Sequence, residues 1–492
     1  MNHSSQAPGA VFSSDAPASR GLRLWARATR WLLWLVVALW GLGLLTWVAL
    51  NAVIVPRIDS WRPELQRWAS DALGVPVTIA DIRATNRPDT PFGLPPFMPA
   101  FELSGVRLLD AQGRPALELP RVQASVSVRS LWRLGFEQIV IDAPVLDVRR
   151  TRDGRIEVAG LALGGSAGAG GGGDWFFDQT EFAVRGGTLR WTDELRAAPP
   201  LALSAVDLVV RNRAREHRWR LDASPPTEWG DRFTLQGQLR APLLTAGRQP
   251  DELPWARWSG ELHAALPRVD VQRLQPYLPA DLPALPGLLV RGGRGQLQLW
   301  ADVQDGRLSG VQADVDLRSV DAQLAADLPP LALSYITGRL QAQWSSAAWR
   351  LSTDDLRFLT REGVAWSGGR ISLAQVPAGP PARGRTASAH TELSAGGIEL
   401  AAVAALAERI PLPGRVHHWV QTLQPAGRVQ SLDARWEGPD LAGLKASGQV
   451  LGLSLAGATP AADAASATPG RPGIEGATIS FDLQRDRGSA RL

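Results

Sequence analysis

The chain has 492 residues, of which 52 are basic and 48 acidic, and a formal net charge of +4 at pH 7. Beyond the first 30 residues the basic side chains form no block, which excludes the charge footprint of a nucleic-acid-binding protein. Cysteine is absent, so neither disulfides nor thiolate metal sites can hold the fold together. Packing of apolar side chains must supply the stability.

Residues 31–55 form an apolar stretch without one ionisable side chain. As a helix it would measure about 37 Å, enough to cross a hydrocarbon core of about 30 Å. We therefore expect a transmembrane helix over 31–55. A cleaved signal peptide is the alternative, but its apolar region would span about 7 to 15 residues and end in a small-x-small site, which Asn51–Pro56 lacks. The predicted anchor positions are Trp31, Leu35, Leu39, Leu44, Val48 and Val55.

The charges on the two sides of this stretch differ. Arg20, Arg23, Arg27 and Arg30 precede it, whereas the arginines that follow are interleaved with acidic residues. The positive-inside rule therefore predicts that residues 1–30 are a cytoplasmic tail, which we expect to be disordered, and that the bulk of the chain lies across the membrane.

Apolar residues recur with helical spacing directly after the anchor, from Trp61 to Leu73. With Ser60 as N-cap and Gly74 as the stop, they predict an amphipathic helix over 60–73. Its apolar face has two possible destinations, the headgroup layer of the membrane or the sheet that follows, and the sequence leaves both open.

From residue 75 onward the dominant period is 2. In one run Leu340, Ala342 and Trp344 alternate with glutamines, which is typical of strands with one dry and one wet face. Turn signals such as Asp153-Gly154 separate the runs at spacings that favour antiparallel meanders. The predicted fold class is mainly β with few short helices, which we expect near residues 269–278, 398–409 and 416–423.

Composition suggests how the chain is divided. We expect a first β region over 56–163, a Gly-rich loop over 164–174, a repeating β region over 175–375, a Pro/Ala loop over 376–388, a helix pair with further strands over 389–455, an Ala/Pro-rich linker over 456–472, and the start of another strand region over 473–492. The sequence PPLALS occurs at 199–204 and again at 329–334. A structural repeat and coincidence both remain open.

Motifs for catalysis or metal binding are missing from the sequence. The six histidines include no pair at i, i+4 and no carboxylate partner at a metal-binding spacing. Gly292–Gly295 lacks the strand-to-helix setting of a nucleotide loop, and no Gly-x-Ser-x-Gly elbow occurs. We expect no enzymatic activity, no cofactor and no metal.

Several segments follow, in order and spacing, the N-terminal half of a known family. They are LGVPVTIADI (73–82), FELSGVRLLDAQGRPALELPRVQASVSVRSLW (101–132), IDAPVLDVRRTRDGRIEVAGL (141–161), LRWTDELRAAPPLALSAVDLVVRN (189–212) and IPLPGRVHHWVQTLQPAGRVQSLDARWEG (410–438). In these segments the chain resembles the YhdP family of the AsmA-like group. Members of that family are longer, so we expect this chain to be an N-terminal portion.

The resemblance implies a Gram-negative inner-membrane protein with one membrane span, a cytoplasmic N-terminus and a periplasmic bulk. It implies an elongated, curved antiparallel β-sheet whose apolar groove moves phospholipid between the inner and outer membranes and so supports the outer-membrane barrier. The implied partners are phospholipids, the inner membrane, and an outer-membrane or periplasmic protein. The groove-lining positions expected from the alternating runs are Val122, Ala124, Val126, Val128, Phe233, Leu235, Leu297, Leu299, Val311, Val315 and Leu340.

Two other functions remain open at this point. A periplasmic scaffold for envelope assembly could be built from closed β-sandwiches, which bury the same apolar faces against each other. An envelope hydrolase without a recognisable motif is the third hypothesis. The family resemblance favours the lipid conduit.

Overall fold

The computed structural model describes residues 20–49, 60–85, 100–110, 112–125, 136–162, 179–243, 255–277, 289–378, 388–438, 441–457, 471–484 and 487–492. The predicted Gly-rich loop and most of the other two predicted loops lie outside these residues, as do Val55, Val126 and Val128. The described strands form one 24-stranded sheet, which is curved and open. The prediction of a mainly β protein with few short helices is confirmed.

The strands alternate with short turns along most of the chain. Their bounds are β1 Val77–Thr85, β2 Ala100–Leu109, β3 Pro115–Ser125, β4 Gln138–Asp142, β5 Val145–Arg150, β6 Ile156–Val158, β7 Leu161–Ala162, β8 Glu181–Asp193, β9 Leu201–Arg213, β10 Glu216–Ser224, β11 Phe233–Arg240, β12 Ser259–Asp270, β13 Leu289–Gln304, β14 Arg307–Gln323, β15 Leu331–Trp344, β16 Trp349–Thr360, β17 Ala365–Ser367, β18 Arg370–Val376, β19 His390–Gly396, β20 Ile398–Glu399, β21 Ala426–Glu437, β22 Ala442–Leu455, β23 Ile474–Gln484 and β24 Arg487–Arg491. The α-helices among the described residues are α1 Arg20–Ala49, α2 Arg62–Leu73, α3 Val271–Leu274, α4 Leu400–Leu406 and α5 Gly414–Leu423.

Neighbouring strands pair antiparallel from β1 to β4 and again from β8 to β16. From β16 the sheet continues through β17 and β18, β19 and β20, β21, β22, β23 and β24. The expectation of an antiparallel sheet is wrong at one point, because β4 and β5 both pair parallel with β8. After β5 the chain forms β6, which pairs with β5, and β7, which pairs with β6. It then returns as β8, which runs along β4 and β5 in the same direction.

Helix α2 packs on the sheet. Its Leu65, Ala69 and Leu73 contact the apolar cluster of the first strands, and Trp68 meets Phe136 edge to face with ring centroids 5.3 Å apart. Of the two destinations that the sequence left open, the sheet therefore receives this apolar face. The helix ends as expected at Gly74, with φ of 70° in the left-handed region. Its N-cap is Trp61 rather than Ser60, and the Trp61 side chain makes no capping hydrogen bond. Proline stands in the first turn, where the N–H that it lacks has no partner within the helix.

Helix α1 contains 30 residues and begins at Arg20. The helix thus begins within the predicted tail, where arginine and leucine are both good helix formers. Residues 1–19 of that tail lie outside the described residues. Trp31 and Trp40 are 76% and 78% exposed. Within the part of the chain that the structure describes, no helix has a stretch long and apolar enough to cross a membrane.

Candidate functional site

One face of the sheet carries a row of residues from its first strand to its last that are apolar with one exception. Residues that lie opposite each other in paired strands share a face, so the pairing register can be followed across the whole sheet. The first apolar row consists of Ile82, Leu103, Val122, Ile141, Val184, Leu208, Leu221, Leu235, Ala264, Leu299, Ala313, Leu340, Thr353, Ile371, Ala395, Leu432, Gly448, Phe481 and Ala490. Thr353 is its one polar member.

A second row runs beside the first on the same face. In each strand its member lies two residues from the first-row member, always towards the same edge of the sheet. The second apolar row consists of Ala84, Phe101, Ala124, Ile139, Phe182, Val210, Trp219, Gly237, Leu262, Ala301, Val311, Ala342, Leu351, Leu373, Leu393, Ala434, Ala446, Leu483 and Gly488. The two rows lie about 7 Å apart along the strands, so together they form a continuous apolar band across the sheet.

The opposite face of the same strands is mainly polar. The row between the two apolar rows consists of Arg83, Glu102, Gln123, Val140, Ala183, Val209, Arg220, Gln236, His263, Trp300, Gln312, Gln341, Ser352, Ser372, Ser394, Asp433, Ser447, Asp482 and Ser489. Several of these side chains bond along the row, as where Gln341 Nε2 donates to Gln312 Oε1 over 3.0 Å. The two faces therefore have opposite polarity.

The covering of the apolar band changes along the sheet. Over β1 to β9 helix α2 helps to close it, and Val122, Val184 and Phe182 are buried. From β11 to β22 the side chains of both rows are half-buried, with Gly237 the buried exception. No second sheet packs on the band within the described residues, because every described strand belongs to the one sheet.

Helices bound the central part of the band on one side. Leu406 of α4, only 1% exposed, packs with Leu333 and Phe358, and Val271 of α3 joins the same cluster. The guanidinium of Arg409, just after α4, makes two hydrogen bonds of 2.6 and 2.7 Å to the carboxylate of Glu362. We call this boundary, where α3 and α4 cover the band, the helix side.

A series of β-bulges follows the first apolar row towards the helix side. Gly186 of β8 and Asp355 of β16 each lie two residues beyond the row member of their strand, with φ of 60° and 51°. The register also shifts between Asp222 and Ser224 in β10, and between Val450 and Leu453 in β22. Bulges bend strands and increase their twist, so a series along one row bends the sheet along the band.

The structure places each described groove-lining prediction on the apolar face. Val122, Leu235, Leu299 and Leu340 stand in the first apolar row, Ala124 and Val311 in the second, Leu297 pairs with Val315 beside the first, and Phe233 pairs with Ala223. The two rows also contain Ile371, Leu373 and Leu393, which were not predicted. Their strands alternate in the same way but over too few residues to give a clear pattern.

Two buried histidines have local partners. His217 Nδ1 lies 2.8 Å from Asn212 Oδ1, and its ring stacks on Trp258 with centroids 3.8 Å apart. Burial lowers the pKa of His217, which favours the neutral ring. His390 Nε2 lies 3.1 Å from Glu392 Oε1. Among the described residues no group of three or more His, Cys, Asp or Glu could hold a metal ion.

Comparison with known proteins gives one family. The family described as YhdP protein matches residues 20–492. No curated protein and no solved structure matches the chain.

Proposed function

Because the chain belongs to the YhdP family, a family of envelope proteins, we propose that it carries phospholipid between the inner and outer membranes along its apolar band. The observation that supports this function is the apolar band itself, which crosses 19 of the 24 described strands and has no second sheet packed on it from β11 to β22. Eighteen steps of about 4.8 Å separate the 19 members of the first row, roughly 85 Å in all.

An uncovered apolar band removes the main cost of moving a lipid. An acyl chain that leaves a bilayer for water loses about 0.8 kcal/mol for each CH₂ group exposed. On the band the chain exchanges one apolar environment for another, while the headgroup stays in water. Lipid movement of this kind requires no covalent chemistry, and we propose that the protein is not an enzyme.

The scaffold of closed sandwiches has less support. Its apolar faces would have to be sealed between two sheets, whereas the described strands belong to one open sheet. A protein with an uncovered apolar band of this length needs an apolar occupant, since large exposed apolar patches mark binding surfaces.

Lipid mass spectrometry of the purified full chain tests the conduit, with one arginine on each face of β13. Leu299→Arg places the charge in the first apolar row, and the adjacent Gln298→Arg places it on the polar face. An arginine stem can lie along the apolar wall with its guanidinium in water, so we expect both variants to fold. Leu299→Arg should copurify with less phospholipid and fail to restore the outer-membrane barrier, while Gln298→Arg should behave as the unmodified protein. Equal phospholipid content in both would contradict the conduit.

We propose that the apolar stretch 31–55 anchors the protein in the inner membrane with residues 1–30 in the cytoplasm. The proposal rests on the length of the stretch and on the arginines that precede it. A reporter that is active only in the periplasm should work when fused after Gly74. Activity of the same reporter fused before Arg20, together with silence after Gly74, would reverse the orientation.

A further inference from the structure

A third row on the apolar face differs from the two apolar rows. It lies two residues beyond the second apolar row, on the side away from α3 and α4. Its described members over β15 to β21, which we call the tryptophan rim, are Trp344, Trp349, Gln375, Thr391 and Trp436. All are half-buried except Gln375, which is exposed.

The tryptophan rim contains polar groups, unlike most of the two apolar rows. Trp349 Nε1 donates a hydrogen bond of 2.6 Å to Gln375 Oε1, and Thr391 adds a hydroxyl in the same row. Water is close, since the turn at Ser345–Ala348 next to Trp344 carries exposed residues. Indole rings combine a large apolar body with an N–H donor and are enriched where hydrocarbon meets water in membranes.

The described residues at the centre of the helix side are apolar. There Leu333 and Phe358 lie buried under Leu406 of α4, and Val271 and Ile336 pack around them. The guanidinium that the structure shows at this boundary, that of Arg409, is already bonded to Glu362. A phosphate or glycerol group placed among the apolar side chains would therefore lose its hydration at a cost of several kcal/mol. The two boundaries of the band therefore differ in polarity.

The width of the uncovered band fits one layer of acyl chains. From Gly338, beside the first row, to Trp344 the strand rises about 20 Å at about 3.3 Å per residue. One leaflet contributes about half of the roughly 30 Å hydrocarbon core of a bilayer. Acyl chains that start at the rim can therefore lie across both apolar rows and stop short of the helix side.

From this asymmetry we infer that a phospholipid on the band has a fixed orientation, with its glycerol-ester region at the tryptophan rim and its acyl chains extending across the second and first apolar rows towards α3 and α4. The inference rests on the proposed function and adds to it which side of the band the headgroups follow. Headgroups then move in water along one edge of the sheet, next to the β15–β16 turn and the ends of β18 and β21.

Photocrosslinking in cells that make the full chain tests the orientation on one strand. Replacing Trp349, Leu351 or Thr353 of β16 by p-benzoylphenylalanine places the same reactive group at the rim, in the second row and in the first row. Arg350→p-benzoylphenylalanine, on the opposite face, is the matched control. Mass spectrometry then locates the carbon of the lipid to which each ketone has added.

We expect adducts near the glycerol at position 349, adducts further along the acyl chain at 351 and 353, and no lipid adduct at 350. Adducts near the chain ends at 349, or the same distribution at all three positions, would overturn the orientation and leave the conduit intact. Absence of lipid adducts at 349, 351 and 353 in a folded protein would overturn the proposed function and the orientation with it.

Discussion

The apolar band is mostly buried at one end of the molecule and half-buried in the middle. In the N-terminal region, β1 to β9 with α2, Val184 of the first apolar row is 2% exposed. In the central region, β11 to β22, Leu299 of the same row is half-buried. The strand pattern is alike in both regions, so the difference comes from what packs on the face. Alternation decides which side chains share a face, and what packs on that face decides how deeply they are buried.

An arginine in the first apolar row should separate the two regions most strongly. Val184→Arg buries a guanidinium among apolar side chains, and we expect the free energy of unfolding to fall by several kcal/mol. That is a large part of the roughly 5 to 15 kcal/mol by which a typical protein is stable. Leu299→Arg should lower the free energy of unfolding by only about 1 kcal/mol, because it removes a leucine side chain that is only partly buried. Urea unfolding and the yield of folded protein measure both.

The opposite order of stability, or collapse of both variants, would mean that the central band is as closed as the N-terminal region. Survival of both would mean that α2 does not seal the N-terminal region.

Leu406 is expected to have the next largest effect, because it is the most deeply buried side chain of α4. Leu406→Ala removes a side chain that is 1% exposed and leaves a cavity among Leu333 and Phe358. We expect a loss of about 2 to 5 kcal/mol in unfolding free energy.

Trp419 of α5, 50% exposed, provides the control for a helix residue without a buried side chain. Trp419→Ala should change the unfolding free energy by no more than about 0.5 kcal/mol. Equal effects of the two substitutions would show that α4 does not hold the helix side.

Much of the apolar face could be predicted from the sequence. The alternating runs of β13 to β15 placed Leu299, Val311 and Leu340 on one face, and the structure keeps them there. The physical reason is that a slip of one residue would turn every such side chain to the polar face, so the pattern itself specifies the register.

The covering of that face could not be predicted in the same way. The apolar residues of α2 fit a membrane surface as well as a sheet, and only tertiary packing distinguishes the two. The parallel pairing of β4 and β5 with β8 carries no local signal, because it depends on where the chain returns after β7. The tryptophan rim could not be predicted from the sequence either. Trp349 and Trp436 become members of one row only through pairings between strands far apart in sequence.

Gly237 lies in the second apolar row close to where the N-terminal region passes into the central one. A Cβ atom there would clash with Trp219 Nε1 on the neighbouring strand, because the indole lies directly on the glycine. Gly237→Ala should push the ring off the sheet and cost about 1 to 3 kcal/mol by overpacking.

A double-mutant cycle isolates this contact. In a Trp219→Leu background the alanine at 237 has no indole to displace, and its effect on the unfolding free energy should largely disappear. An unchanged effect in that background would assign the cost to the backbone of β11 instead of the indole.

The smallest effect is expected on the polar face. In β10 the Arg220 guanidinium, with Nε 2.7 Å from Asp222 Oδ2, and then the Thr234 hydroxyl hold the pKa of the Asp222 carboxyl below its usual value. A carboxylate whose pKa is lowered by folding adds stability that is complete above its unfolded pKa, about 3.9, and that is lost as the pH falls through the lower folded pKa.

Arg220 is largely exposed, so solvent screens the pair, and we expect Asp222→Asn to cost less than about 1 kcal/mol at pH 7. The difference in unfolding free energy between Asp222→Asn and the unmodified protein should shrink as the pH is lowered from about 5 towards 2, because the native carboxyl also becomes neutral there. Urea midpoints measured across this range give the comparison. A loss at pH 7 as large as that of Val184→Arg would mean that the polar face, and not the packing on the apolar band, dominates the stability of the sheet.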